Sequence, residues 1–137
     1  RRRPAGLARV KADDLAAPLV RSAMQAGRPD QALDVLDRIR PLAAANRART
    51  LDVWRAEIFA RTGRADDAAA AYAALLDGDA SVEAARLAID AGEALIDAGA
   101  SDRARRFLFE ALRLAPRHGL RGLDARARRL LDSMGRD

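Results

Sequence analysis

The stretch Ser81–Pro116, SVEAARLAIDAGEALIDAGASDRARRFLFEALRLAP, reads as helix, glycine turn, helix. Ser81 is a candidate N-cap, a short oxygen-bearing side chain ahead of an apolar run. Leu87, Ala88, Ala91, Ala94, Leu95 and Ala98 then recur at the three-and-four spacing of one helical face, predicting a first helix from about Ser81 to Ala98. Gly99 follows, able to adopt the left-handed conformation that closes a helix without a Cβ clash. Ser101 and Asp102 favour a new N-terminus. Ala104, Phe107, Leu108, Ala111 and Leu112 form the face of a second helix, which Pro116 ends.

This unit is repeated. Gly27, Gly63, Gly99 and Gly135 stand 36 residues apart, and so do Leu15, Leu51, Leu87 and Leu123. Asp30, Asp66 and Asp102 keep the same step, as do Ala32, Ala68 and Ala104. A period between 20 and 50 residues marks stacked repeats. The second unit has Leu51, Val53, Trp54, Ile58 and Phe59 before its glycine, then Ala68, Tyr72, Leu75 and Leu76. The first has Leu19, Val20, Ala23 and Met24, then Ala32, Leu36 and Ile39. Pro18 and Pro29 are both expected in a first helical turn, where the missing N–H does no harm. The alanines at 32, 68 and 104 are expected where two helices cross closely after the turn. A last helix, 120–135, carries Leu120, Leu123, Ala127, Leu130, Leu131 and Met134 on one face and Arg121, Arg126, Arg128 and Arg129 on the other. It is expected to cap the stack. The first half of a fourth pair is the alternative, since Gly135-Arg136-Asp137 echoes Gly63-Arg64-Ala65-Asp66.

These residues resemble the tetratricopeptide repeat family, most closely through Ala88, Ala91, Gly92, Leu95, Gly99, Ala104, Leu108, Ala111 and Pro116. The period departs from that family's 34 residues, and Ala16, Asp52 and Ala88 replace the aromatic that usually opens the first helix. The resemblance implies an all-α, right-handed solenoid of antiparallel helix pairs: three pairs, at about 13–48, 49–84 and 85–120, and a C-terminal helix. It also implies a concave groove lined by the first helices. Carried onto this chain, the groove residues are Asp14, Ala17, Arg21, Met24 and Gln25 from the first unit. The second unit contributes Thr50, Val53, Glu57, Ala60 and Arg61, and the third Arg86, Ile89, Glu93, Ile96 and Asp97. Arg21, Glu57 and Glu93 stand where the family's carboxylate-binding members need a cationic clamp. The groove's centre is therefore expected to prefer a basic or amphipathic peptide.

Composition narrows the function classes. The 137 residues contain no cysteine and one histidine, His118, which excludes thiol nucleophiles, disulfides and multi-imidazole zinc sites. The glycines are scattered, with no Gly-rich run ending in Lys to cradle a phosphate. No hydroxyl has a base beside it, and His118 is expected in a loop as a solvated or locally bonded residue. Trp54 and Phe59 are expected to pack rather than to stack bases. The chain is expected not to be an enzyme and to need no cofactor, metal or small-molecule substrate. The longest uncharged apolar run, Ala68–Leu76, has nine residues, about half of what crosses a bilayer. No membrane span is expected in this segment, and a cytoplasmic setting is. The Ala- and Arg-rich composition suggests a bacterial source, and a start at Arg1 suggests a processed chain or a domain of a larger protein.

Charge is unevenly spread: residues 1–12 carry net +5, 13–100 net −5 and 101–137 net +5. The basic segment 1–12 has too little apolar surface to offset its ordering entropy and is expected to be flexible, leaving 13–137 as the repeat domain. The main functional expectation is a protein-binding scaffold or regulatory module. Binding of nucleic acid or an anionic surface through the Arg-rich ends is the alternative. Self-association, as a homodimer through the last helix, is the third.

Overall fold

A computed structural model describes the backbone of residues 5–135 and the side chains of residues 15–135. Among the described residues seven α-helices follow one another: α1 (Ala5–Gln25), α2 (Pro29–Ile39), α3 (Ala45–Arg61), α4 (Ala65–Leu76), α5 (Val82–Asp97), α6 (Ser101–Leu114) and α7 (Arg121–Gly135). No strand occurs among the described residues. Short 3-10 turns, Arg40–Leu42 and Ala115–His118, follow α2 and α6.

One turn is built three times. Gly27, Gly63 and Gly99 adopt φ of 70°, 78° and 79°. Each glycine N–H donates to the carbonyl three residues back (Met24, Ala60, Ile96) at 3.1, 3.4 and 2.9 Å. The next N–H (Arg28, Arg64, Ala100) donates to the carbonyl five back at 2.9, 2.8 and 2.8 Å. This double bond pattern satisfies carbonyls that a helix end would otherwise leave orphaned. Arg28, Arg64 and Ala100 then act as N-caps of α2, α4 and α6 without a side-chain bond. Ala100, not Ser101, therefore caps α6. The recurrent Asp30, Asp66 and Asp102 lie in the first turns of these helices, where a negative charge favours the positive end of the helix dipole.

Ser81 caps α5 as expected, its Oγ accepting from the Ala84 N–H at 3.1 Å. Pro29 is the first residue of α2. Pro18 differs: it lies inside α1, at its exposed side, rather than in a first turn. Helix α1 begins at Ala5, within the segment expected to be flexible, whose residues 1–4 lie outside the described ones. The fourth periodic glycine, Gly135, ends α7 without the left-handed turn of the other three. Residues 136 and 137, which carry its echo of Gly63-Arg64-Ala65-Asp66, also lie outside.

Contacts divide the chain inside α3, after Ile58, into two units. In the first, Ala16, Ala23, Ala32, Leu36, Leu51 and Ile58 form a buried cluster, with Val20, Met24, Ile39 and Trp54 packed against it. In the second, α5 packs most extensively on α6 and also meets α4 and α7, while α7 packs on α6. Eight residues of α5 are buried, Ala84, Ala85, Leu87, Ala88, Ile89, Ala91, Gly92 and Leu95. The small residues let α6 approach closely: a Cβ placed on Gly92 would lie 2.5 Å from Leu108 Cδ2. Ala32, Ala68 and Ala104 are all fully buried, in keeping with close crossings. The Tyr72 and Phe107 rings meet edge to face, 6.1 Å between centroids at 67°.

Candidate functional site

The first unit holds half of the expected groove residues. Arg21 and Gln25 are exposed on α1, while Val53 and Glu57 on α3 are half-buried. Met24 is half-buried as well. It packs onto the unit's core cluster and keeps part of its surface open. The side chain of Asp14 lies outside the described residues. Nearby, Arg40 grips Asp52 through two bonds, Nε to Oδ1 at 2.7 Å and Nη2 to Oδ2 at 3.0 Å, and that bond raises the guanidinium's affinity for its proton. Arg55 lies 3.4 Å from Asp37.

In the second unit Arg61, Arg86 and Asp97 are exposed and Ile96 is half-buried. Ile89 is only 1% exposed and Ala60 is buried, so neither offers a ligand a surface. Glu93 sits one turn beyond Ile89 on α5 and is bound by Arg126 of α7. Helix α7 thus crosses the face that the sequence reading left open. Asp90, although exposed over much of its surface, has its carboxyl held above the ordinary range. Partial desolvation contributes most and the Glu93 charge next, against the pull of Arg126 and Arg86. Arg86, Asp90, Glu93 and Arg126 form a charge cluster that could exchange internal pairing for pairing with a partner.

Sequence reasoning missed Arg126 and Asp90 as members of this cluster. Their one signal was the period, since Arg126 stands 36 residues after Asp90 and reverses its charge. It also missed the reach of His118, whose Nε2–H donates to the Ala80 carbonyl at 2.7 Å across 38 residues. Trp54 packs on the first unit's core and Phe59 is buried beneath the Arg64 guanidinium, 4.5 Å from its centroid. Both therefore pack, as expected.

On α7, Asp124 and Arg128 pair at 3.0 Å. They occupy the places that Ala88 and Gly92 hold on α5, where close approach admits α6. The exposed large hydrophobics are Leu15, Leu19, Leu42 and Phe109, none of them on α7. On α7, Leu123, Leu130 and Leu131 are half-buried.

No described helix is long and apolar enough to cross a membrane. No protein-family model matches this chain, and comparison with curated proteins and with solved structures finds no match.

Proposed function

We propose that the chain is a non-catalytic, tetratricopeptide-like right-handed solenoid that holds a basic or amphipathic segment of a partner protein, as a scaffold or regulatory module. The observation that carries this reading is the 36-residue period reappearing as the same hydrogen-bonded turn at Gly27, Gly63 and Gly99. Within the second unit, Asp66 of α4 pairs with Arg103 of α6, residues one period and one position apart, which supports side-by-side second helices. A bacterial, cytoplasmic setting belongs to the same proposal and rests on composition alone.

The binding face in the second unit is the exposed part of α5 around Arg86, Asp90, Glu93 and Asp97, with Arg126 as an internal competitor. A basic partner must displace Arg126 from Glu93. Titration with a capped lysine–leucine peptide, followed by amide shifts of residues 86–97, tests this. Arg126→Ala should bind at least tenfold tighter and Glu93→Lys at least tenfold weaker, about 1.4 kcal/mol each. Equal affinity in both variants would remove the reading.

A second reading, binding to nucleic acid, is favoured by one observation. Phe109 is 58% exposed on α6, with Arg105, Arg106 and Arg113 at positions that share its face. Affinity for single-stranded DNA that falls steeply with salt and drops in Phe109→Ala would favour it.

A further inference from the structure

Away from the α5 face, the second unit contains an open cleft of about 430 Å³ between the C-terminal end of α4, with the turn that follows it, and the outer side of α6. That volume lies within the range of ligand pockets. Half-exposed Ala73 gives its floor an apolar surface, with the side chains of Leu76 and Phe107 buried beneath. Phe107 is 2% exposed and braced by Tyr72, so the floor is rigid.

The two walls carry opposite charge. One is the turn, with Asp77 and Asp79. It is tied down: Asp79 N–H donates to the Leu76 carbonyl at 3.1 Å, Asp79 Oδ1 accepts from Ser81 N–H at 3.0 Å, and His118 holds the Ala80 carbonyl. Helix α4 has no basic residue in its last turn, so its negative dipole end reinforces this wall. The other wall is α6, with Arg106 and Arg113. Arg113 is engaged by Glu110 through Nε at 3.1 Å and a second bond from Nη2, which holds the Glu110 carboxyl below its ordinary range. Arg106 closes no ion pair among the described residues, although its charge acts on the Glu110 carboxyl. It lies over the Phe107 ring, 5.6 Å from the centroid, with its charge available at the rim.

A cation is therefore favoured at Asp77, a carboxylate at Arg106 and an apolar group between them. We propose that this cleft is a second docking site, for a polypeptide segment that presents an acidic and a basic side chain on either side of an apolar one. Acidic and basic residues four apart on a helix, with Leu beside them, match the order of charges across the cleft. The site is independent of the α5 face, since none of the residues that line it belongs to the Arg86–Asp90–Glu93–Arg126 cluster.

The test is an NMR titration of the whole chain with the capped peptide acetyl-Glu-Ala-Ala-Leu-Arg-amide, against a control with both charged residues replaced by Gln. Saturable amide shifts are expected at residues 77–79 and 106–113. Arg106→Glu and Asp77→Lys should each weaken binding at least tenfold, with unchanged helical melts. If Arg106→Glu disturbs the fold, Arg106→Gln should weaken binding at least threefold. Equal shifts with the control peptide, shifts confined to residues 86–97, no saturable shift, or affinity unchanged by these substitutions would each overturn the proposal.

Discussion

Gly92→Ala should destabilise the protein although alanine is the better helix former. The added Cβ would lie 2.5 Å from Leu108 Cδ2, 2.8 Å from Leu108 Cγ and 3.6 Å from the Ala104 carbonyl oxygen. Carbon atoms prefer roughly 3.5–4.0 Å. Leu108 is fully buried and cannot swing into solvent, so α5 and α6 must separate or Leu108 must leave its rotamer. Overpacking of this kind costs about 1–3 kcal/mol. The helix-propensity gain from Gly to Ala offsets up to about 1 kcal/mol. A net loss of up to about 2 kcal/mol follows. Leu108→Ala alone should cost about 2–5 kcal/mol. In that background the obstruction is gone, and Gly92→Ala should turn stabilising by about 0.5–1 kcal/mol. The reversal of sign is the signature, a coupling of about 0.5–3 kcal/mol between residues in contact. Urea unfolding of the four proteins, followed by far-ultraviolet circular dichroism, measures it. A Gly92→Ala substitution that stabilises both backgrounds equally would refute the close crossing.

The close crossings elsewhere are tested by Ala68→Leu and Ala104→Leu, each expected to cost about 1–3 kcal/mol in the same assay; unchanged melts would show that these buried alanines have room. Ser81→Ala should cost about 1 kcal/mol through loss of the cap on α5, while Ser81→Asp should retain most of it, as thermal melts would report. For Asp90, the raised pKa means that the folded chain holds the proton more tightly than the unfolded one. Its contribution is thus present below the ordinary Asp range and lost as pH rises through the raised value. Asp90→Asn should therefore melt slightly higher than the wild type at neutral pH, with the gap closing in acid. Asp124 Oδ1 is buried without a hydrogen-bond partner. Leu112 stands twelve residues before Asp124, as Arg40 stands before Asp52, so Leu112→Arg should form the equivalent pair and raise the melting temperature. A lower melt would show that the register does not carry that contact.

The helices and their turns were legible in the sequence because the forces that end a helix are local. At Gly63, α3 ends as the Gly63 N–H donates to the carbonyl three residues back and the Arg64 N–H to the carbonyl five back, and the chain needs no distant contact to form these bonds. The Ser81 cap, Pro29 at the start of α2 and the buried Ala104 follow from the same short-range chemistry. Pro18 shows the limit. Its missing N–H and its ring favour a first turn over a helix interior, and only the helix that continues ahead of it places it inside α1.

The candidate site was far less legible. Ile89, Glu93 and Asp97 share a spacing that marks one face of α5, and the sequence alone could treat that face as open. Whether it is open depends on where α7 lies. Arg126, 33 residues beyond Glu93, neutralises it, and Ile89 is closed to solvent on the same face. The apolar stripe of α5 could be read residue by residue, but a helix buried on more than one side has no single stripe. The sequence by itself determined the repeat, the helix limits and the small residues at the crossings, because each is set within a few residues. Only the tertiary structure decided which charges face a partner and which are already paired, because solvent exposure and pairing belong to contacts between helices far apart in the chain.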